Sequence, residues 1–385
     1  ALLGCELSRD PTTEDVRAAV EGTIERLTAI APEELLARPD LDDPVAATAT
    51  RVLVRVSPAA YFGNPALLPI IASHLLRTSI DRGVSTATPY ALALFGIVLN
   101  TLGMYGVAHA WGQVAQRMLE RWPDRRLEAA TRHILFNLVC CWTVPMPTIL
   151  APLRDVFELG CQTGDYEYAS YAAHGYVHNA LYAGRPLAPL LLEALELGKQ
   201  MRALGQVNAV HVHTPFEQLL RCLTGESPEP FRLDGPGFDE QTMLEEARAA
   251  GSRSGIYVVT LAMGLARYHF GRPAEASACL ERARTYLDAA PSVWHQPVMH
   301  QFAALAACGA LEQIEDEAGR AALRERIDES LEALRCLSPV CPANFAHRVS
   351  LVEGELLRVR GDLEGARAKL ERAIAQAHEG GWIND

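Results

Sequence analysis

Apolar residues recur at helical spacing along this chain. In residues 13–30, Val16, Val20, Ile24 and Leu27 share one face of an amphipathic helix. The same pattern predicts helices over 44–56, 65–82, 89–100, 105–121, 125–142, 148–162, 166–183, 186–203 and 207–224. A short element fills 57–63. Helices resume at 240–250, 254–270, 273–289, 291–308 and 320–337, and a last helical pair covers 347–374. Helix starts are marked by a capping side chain followed at once by proline: Asp43-Pro44, Ser57-Pro58, Asn64-Pro65, Thr88-Pro89 and Thr214-Pro215. The cap oxygen satisfies an orphan amide, and proline at the first helical position gives up an N–H that has no partner there. Residues 226–239 hold Pro228, Pro230, Gly235, Pro236 and Gly237 and read as a surface loop.

Three helix pairs share one arrangement of small residues. Gly354, Gly361, Ala366, Leu370 and Ala373 set it. Gly264, Gly271, Ala276, Leu280 and Ala283 repeat it, and so do Gly96, Gly103, Ala108, Gly112 and Ala115. Small residues on facing sides let two helix axes approach, and the middle glycine makes the turn. This is the tetratricopeptide kind of hairpin, whose period is about 34 residues. The turn glycines do not keep a single period, so the array is degenerate. The expected fold is all-α: a right-handed α-solenoid of antiparallel helix pairs with degenerate tetratricopeptide-like repeats. It is expected to run as one array, 1–225 and 240–385, through the irregular loop 226–239. The chain opens on Ala1, and Trp382-Ile383-Asn384-Asp385 looks like the start of a further helix. The chain is therefore expected to be a piece of a longer protein.

Composition narrows the function classes. The chain has 385 residues, 49% hydrophobic and 21% charged, the balance of a folded soluble protein. A net charge of −12 argues against a nucleic-acid backbone or an anionic membrane as the main partner. Arg117, Arg121, Arg125, Arg126 and Arg132 form a local basic group best read as a solvated face. Nine cysteines include no Cys-x-x-Cys pair, and most sit in apolar helical patterns. That is the usage of reduced thiols, with a cytoplasmic location expected. Cys336 and Cys341 flank a turn where a bridge would be possible but is not expected.

No catalytic signature is present: no Gly-x-x-x-x-Gly-Lys-Ser/Thr loop, no His-Arg-Asp, no Asp-Phe-Gly and no Gly-x-Ser-x-Gly elbow. No cofactor or metal is expected. His211 and His213 stand two apart, which on a helix points them in different directions. His269, His295 and His300 lie on apolar helices and read as core or interface residues. The richest candidate surface is the helix from Tyr166 to Tyr182. There Tyr168, Tyr171, His178 and Tyr182 recur at helical spacing, suited to gripping a peptide or small ligand unless the face simply packs inside.

Three stretches, in order along the chain, carry a resemblance. They are Ala60-Tyr61-Phe62-Gly63-Asn64-Pro65, Gly164-Asp165-Tyr166-Glu167-Tyr168-Ala169, and Pro342-Ala343-Asn344-Phe345-Ala346-His347 with Leu351-Val352-Glu353 and the Gly361 turn. Over residues 41–385 the chain resembles the helical-repeat region of large bacterial signalling ATPases. In that family a serine/threonine-kinase-like domain and a P-loop ATPase precede this region, and a sensor and histidine kinase often follow. The resemblance implies a noncatalytic regulatory scaffold that binds a protein, a peptide or neighbouring domains of its own chain. It transfers no catalytic residue. The alternative is a small-effector sensor whose groove is lined by the Tyr166–Tyr182 helix.

Overall fold

The computed structural model describes residues 8, 10–122, 125–235 and 237–382. The expected further helix at 383–385 and the loop residue Pro236 lie outside the described residues. In chain order the helices are α1 (Thr13–Thr28), α2 (Pro32–Ala37), α3 (Pro44–Gly63), α4 (Leu67–Arg82), α5 (Thr88–Thr101), α6 (Tyr105–Leu119), α7 (Glu128–Ile134), α8 (Leu150–Thr163) and α9 (Tyr166–Tyr182). They continue as α10 (Leu187–Ala203), α11 (Val207–Leu223), α12 (Glu240–Ala249), α13 (Arg253–His269), α14 (Pro273–Arg284), α15 (His295–Leu311), α16 (Glu317–Leu337), α17 (Pro342–Val359) and α18 (Leu363–Gly380). The fold is all-α. Among the described residues there is no strand, only isolated bridges joining Asp40 to Val84 and Gly235 to Phe238. The chain divides into two compact units, 1–140 with 155–169 and 141–154 with 170–385.

Local chemistry explains some helix boundaries. Asp43 caps α3 as its sequence suggests: Oδ1 accepts from the amides of Val45 at 2.9 Å and Ala46 at 3.1 Å. Two of the proline pairs behave differently. Pro58 lies inside α3 and Pro215 inside α11. Ser57 Oγ donates to the carbonyl of Leu53 at 2.7 Å, and Thr214 Oγ1 to that of Val210 at 2.8 Å. The hydroxyl here turns back to the preceding helical turn instead of forward to an orphan amide, and the helix continues through the proline. Residues 44–63 are thus one helix, not a helix and a separate short element. Asn64-Pro65 and Thr88-Pro89 also depart from the expected pattern: Asn64 ends α3 and α4 begins at Leu67, and Thr88 is already helical, its Oγ1 accepting from the Ser85 amide at 2.9 Å instead of capping α5.

In the first unit, α7 widens into a π-helical turn over Leu135–Val139. The cause is Asn100 on α5. Its Nδ2 donates to the carbonyls of Leu138 at 3.1 Å and Val139 at 3.2 Å, which rewards a turn that exposes both. The regular helix expected over 125–142 is corrected accordingly.

In the second unit, α13–α14 and α17–α18 close around their glycines. A Cβ on Gly264 would lie 2.6 Å from Leu280 Cγ, and one on Gly354 2.8 Å from Leu370 Cγ. The turn after α17 ends in two bonds, Gly361 N to Arg358 O at 3.0 Å and Asp362 N to Leu357 O at 3.0 Å. This Schellman closure needs the positive φ of Gly361, 85°. Within the loop 226–239, Leu233 is tied to a buried ion pair. Arg267 donates to Glu240 at 2.5 Å, and Glu240 also accepts from the Leu233 amide at 3.0 Å.

The motif at the start of α17 has a structural role. Asn344 Nδ2 donates to the carbonyls of Cys141 at 3.2 Å and Val144 at 2.8 Å, while its Oδ1 accepts from the Met146 amide at 2.9 Å. Phe345 stacks within an aromatic group containing Trp142 and Trp294. One asparagine thereby holds the proline-broken stretch 141–146, which cannot satisfy its own backbone.

Candidate functional site

Among the described residues several places hold polar or titratable side chains in a shaped environment, and two of them contain the tyrosines and histidines named above. The first lies wholly in the first unit. A cleft of about 400 Å³ is lined by Arg51, Arg55, Arg126, Tyr90, Asp165 and Tyr168. The residues after α8 build one wall: Gly164 takes a φ of 78°, and Asp165 Oδ1 accepts from the Tyr168 amide at 3.4 Å. Tyr90 and Tyr168 share a hydrogen bond between hydroxyls at 2.8 Å. Burial pushes the Tyr90 phenol up to about 12 and the Tyr168 phenol well above its ordinary value, so both stay neutral. His133, whose ring lies 5.8 Å from that of Tyr168, is pushed down to about 3 by burial.

The basic group read from sequence resolves into separate pairs. Arg117 faces Glu33 at 3.7 Å, and Arg121 meets Asp40 at 2.8 Å. Arg125 and Arg132 both engage Glu128, at 2.6 and 2.9 Å. Only Arg126 of the five lines the cleft. It is joined there by Arg51 and Arg55, which sequence spacing did not connect to it. One face of α3 supplies these two, four residues apart within the helix expected over 44–56, but local spacing does not show that this face meets Arg126.

The second place lies in the second unit. His174 and His178 stand one helical turn apart on α9. His213 and Phe216 come from α11, Tyr257 from α13 and His295 from the start of α15. All are buried. Ring centroids lie 4.5 Å apart for His174 and His178, 4.3 Å for His178 and His295, and 5.0 Å for Phe216 and His295. His213 donates from Nε2 to the carbonyl of Ala194 at 2.9 Å, which fixes its tautomer. Burial pushes His213 down to about 4 and His295 to about 3, so both rings are neutral at ordinary pH.

An adjoining cavity of about 250 Å³ is lined by Leu181, Tyr182, Leu219, Leu265, Phe302 and Arg348. Arg348 is buried and bonds Gln301, with its guanidinium 4.7 Å from the centre of the Trp382 ring. The cavity is therefore largely apolar, with Arg348 and His269 as the polar groups at its wall.

The four tyrosine and histidine candidates take different places. Tyr168 belongs to the first unit and lines its cleft. Tyr171, His178 and Tyr182 belong to the second, where all three are buried, and Tyr182 borders the apolar cavity. His211 is exposed and His213 buried, as two-residue spacing on a helix requires. His295 sits beside His178, a proximity no local spacing could show.

No family model matches the chain. It is 22% identical over 160 residues to hybrid signal transduction histidine kinase G of Dictyostelium discoideum, covering 41% of this chain and 4% of that protein. The chain thus spans a small fraction of the length of the curated relative it matches. Among solved structures it is similar to NprR in complex with its cognate peptide NprX. The TM-score is 0.51 at 13% identity, over 94% of this chain and 90% of that one. It is also similar, with a TM-score of 0.42 and 13% identity, to a signal transduction ATPase with numerous domains from Pyrococcus horikoshii that carries a tetratricopeptide repeat sensor. That match covers 96% of this chain and 53% of the other. The likeness to NprR gives the fold, a helical-repeat array. No described helix is long and apolar enough to cross a membrane.

Proposed function

We propose that this chain is a noncatalytic regulatory and protein-interaction region of a bacterial signalling ATPase or kinase, working in the cytoplasm. It binds a protein or peptide segment, or neighbouring domains of its own chain, and so biases the domains joined to it. The observation that carries this reading is the cleft of the first unit. Its three arginines outnumber the lining carboxylates Asp165 and Glu167 and, with two neutral tyrosines, suit a peptide carboxylate or an acidic side chain. The shared fold with NprR, described as a complex with a peptide, supports it.

The test uses the full chain against an array of short peptides with free carboxyl ends. Charge reversal by Arg55→Glu with Arg126→Glu should weaken the best peptide at least tenfold while circular dichroism stays unchanged. Retention of all peptides by that variant, or of none by the parent, would reject the reading.

A second reading, a small-effector sensor, draws on the apolar cavity beside Tyr182. A largely apolar space with an arginine at its wall suits a small carboxylate with a hydrocarbon body. A thermal-shift screen of such acids on the parent and on Leu265→Trp, which fills the cavity, separates this reading from the first.

A further inference from the structure

We propose that His174, His178 and His295 form a binding site for one divalent metal ion of the zinc class. The ligand nitrogens of the three residues all lie within 4.8 Å of one another. The tightest edge is already at coordination distance: His178 Nδ1 and His174 Nε2 are 3.2 Å apart. Zinc bound tetrahedrally through imidazole at 2.0–2.1 Å puts neighbouring nitrogens about 3.3 Å apart. One turn of α9 therefore presents two nitrogens at the edge of such a tetrahedron, and the start of α15 brings the third.

The third ring is the independent observation. His295 is 3% exposed, and neither of its ring nitrogens has a hydrogen-bond partner. A buried polar group in that state is costly, because the desolvation of both nitrogens is not repaid. A metal ion at the convergence of the three rings repays one of them through a coordinate bond. Either tautomer of His295 leaves a lone pair for it.

The pair on α9 needs one adjustment. Without a metal, one of the two nitrogens 3.2 Å apart carries the hydrogen of their shared bond. On binding, that proton leaves the donor nitrogen and is held on the other nitrogen of the same ring. Both lone pairs then face the ion, and this shift of the proton within one ring releases none.

The donor set argues for the class of metal. Three imidazoles, with no thiolate or carboxylate among them, suit zinc, nickel, cobalt or copper in preference to calcium or magnesium, which take oxygen. The walls are apolar and aromatic, with Phe216 5.7 Å from His178 and Tyr257 6.1 Å from His295, centre to centre. They hold the rings in place, as outer groups around metal sites do. Three protein nitrogens leave a fourth position for a small anion or water.

The experiment uses the whole chain, stripped with chelator and dialysed against Zn²⁺. Metal is then counted per chain. The parent and His211→Ala, which removes an exposed histidine elsewhere, should each hold one zinc. His295→Phe, which keeps the aromatic packing, should hold less than a tenth. Substitution by Co²⁺ should give the visible bands of a tetrahedral complex in the parent and none in His295→Phe. X-ray absorption of the zinc-loaded parent needs no variant and should show imidazole scattering from three rings. It keeps the test decisive if His295→Phe fails to fold. Less than a tenth of a zinc on the parent, equal zinc on folded His295→Phe, or a zinc shell without three imidazoles would each overturn the proposal.

Discussion

In α17–α18 the first-helix glycine, Gly354, lies against Leu370 of the second helix, and in α13–α14 Gly264 lies against Leu280. In α5–α6 the equivalent pair is Gly96 and Gly112, with no leucine. There a Cβ on Gly96 would lie 2.9 Å from Val139, and one on Gly112 would lie 3.3 Å from Leu135. The π turn that follows α7 thus supplies the side chains that the second helix supplies elsewhere. The same spacing of small residues serves two kinds of closure. One is a self-contained hairpin. The other is a hairpin whose gap is filled from a third segment, held there by Asn100. A glycine in a repeat pattern therefore reports close approach, not the identity of what approaches.

The largest effect expected from breaking this contrast is at Leu280. The side chain is fully buried. Leu280→Ala removes the group that fills the gap beside Gly264, and buried leucine truncations cost about 2–5 kcal/mol. Val139→Ala does the same job in the first unit with fewer atoms lost and should cost about 2 kcal/mol. Urea unfolding of the two variants ranks them. An equal or smaller loss at Leu280 would mean that α13–α14 does not depend on its own leucine.

A mutant cycle sharpens the point. Gly264→Ala overpacks against Leu280 and should cost about 1–3 kcal/mol. Adding Leu280→Ala makes room, so the double variant should cost less than the sum by about 1 kcal/mol. In the first unit Gly96→Ala should couple in this way to Val139→Ala and not to Gly112→Ala. Coupling of Gly96 to position 112 would remove the distinction between the two closures.

What the two closures share was the part most legible in sequence. Turn glycines, caps and helix periodicity act within a few residues, and Gly361, Asp43 and the apolar faces did as their neighbours dictate. Ser57-Pro58 and Thr214-Pro215 misled because one hydroxyl can bond an amide ahead or a carbonyl behind, and only packing decides. The π turn was hidden because its cause, Asn100, is remote in sequence. The histidine group was hidden for the same reason. His178 stood out on its own helix, but His295 reaches it through the fold, while the adjacent His211 and His213 pointed apart. Tyr168 was legible as a candidate; the arginines facing it from α3 were not.

The shared turn gives a smaller prediction. Gly361 has a φ of 85° and Gly103 a φ of 75°. Alanine at either position forces a side chain into the left-handed region, at about 1 kcal/mol. Thermal unfolding should show similar losses for Gly361→Ala and Gly103→Ala, since the turn is common to both closures. A loss at one turn alone would mean that the closure reaches into the turn.

The smallest effect concerns a feature of α17–α18 only. Glu353 accepts from Lys369 across the hairpin at 2.5 Å and from Arg335 at 2.7 Å. Burial alone would raise its carboxyl, but these two cations more than offset it and hold the group below the ordinary 4.5. A carboxyl lowered in the folded state binds fewer protons there than in the unfolded chain. Its contribution is therefore complete above the ordinary glutamate value and is lost as pH falls through the lowered one. Both cations are partly exposed, so screening keeps the effect under about 1 kcal/mol. Glu353→Gln should lower stability slightly at pH 7 and show a smaller deficit at pH 3, measured by urea unfolding in matched salt. A deficit that persists undiminished at pH 3 would mean that the side chain acts through packing, and that Gly354 and Leu370 hold this hairpin without help from its charges.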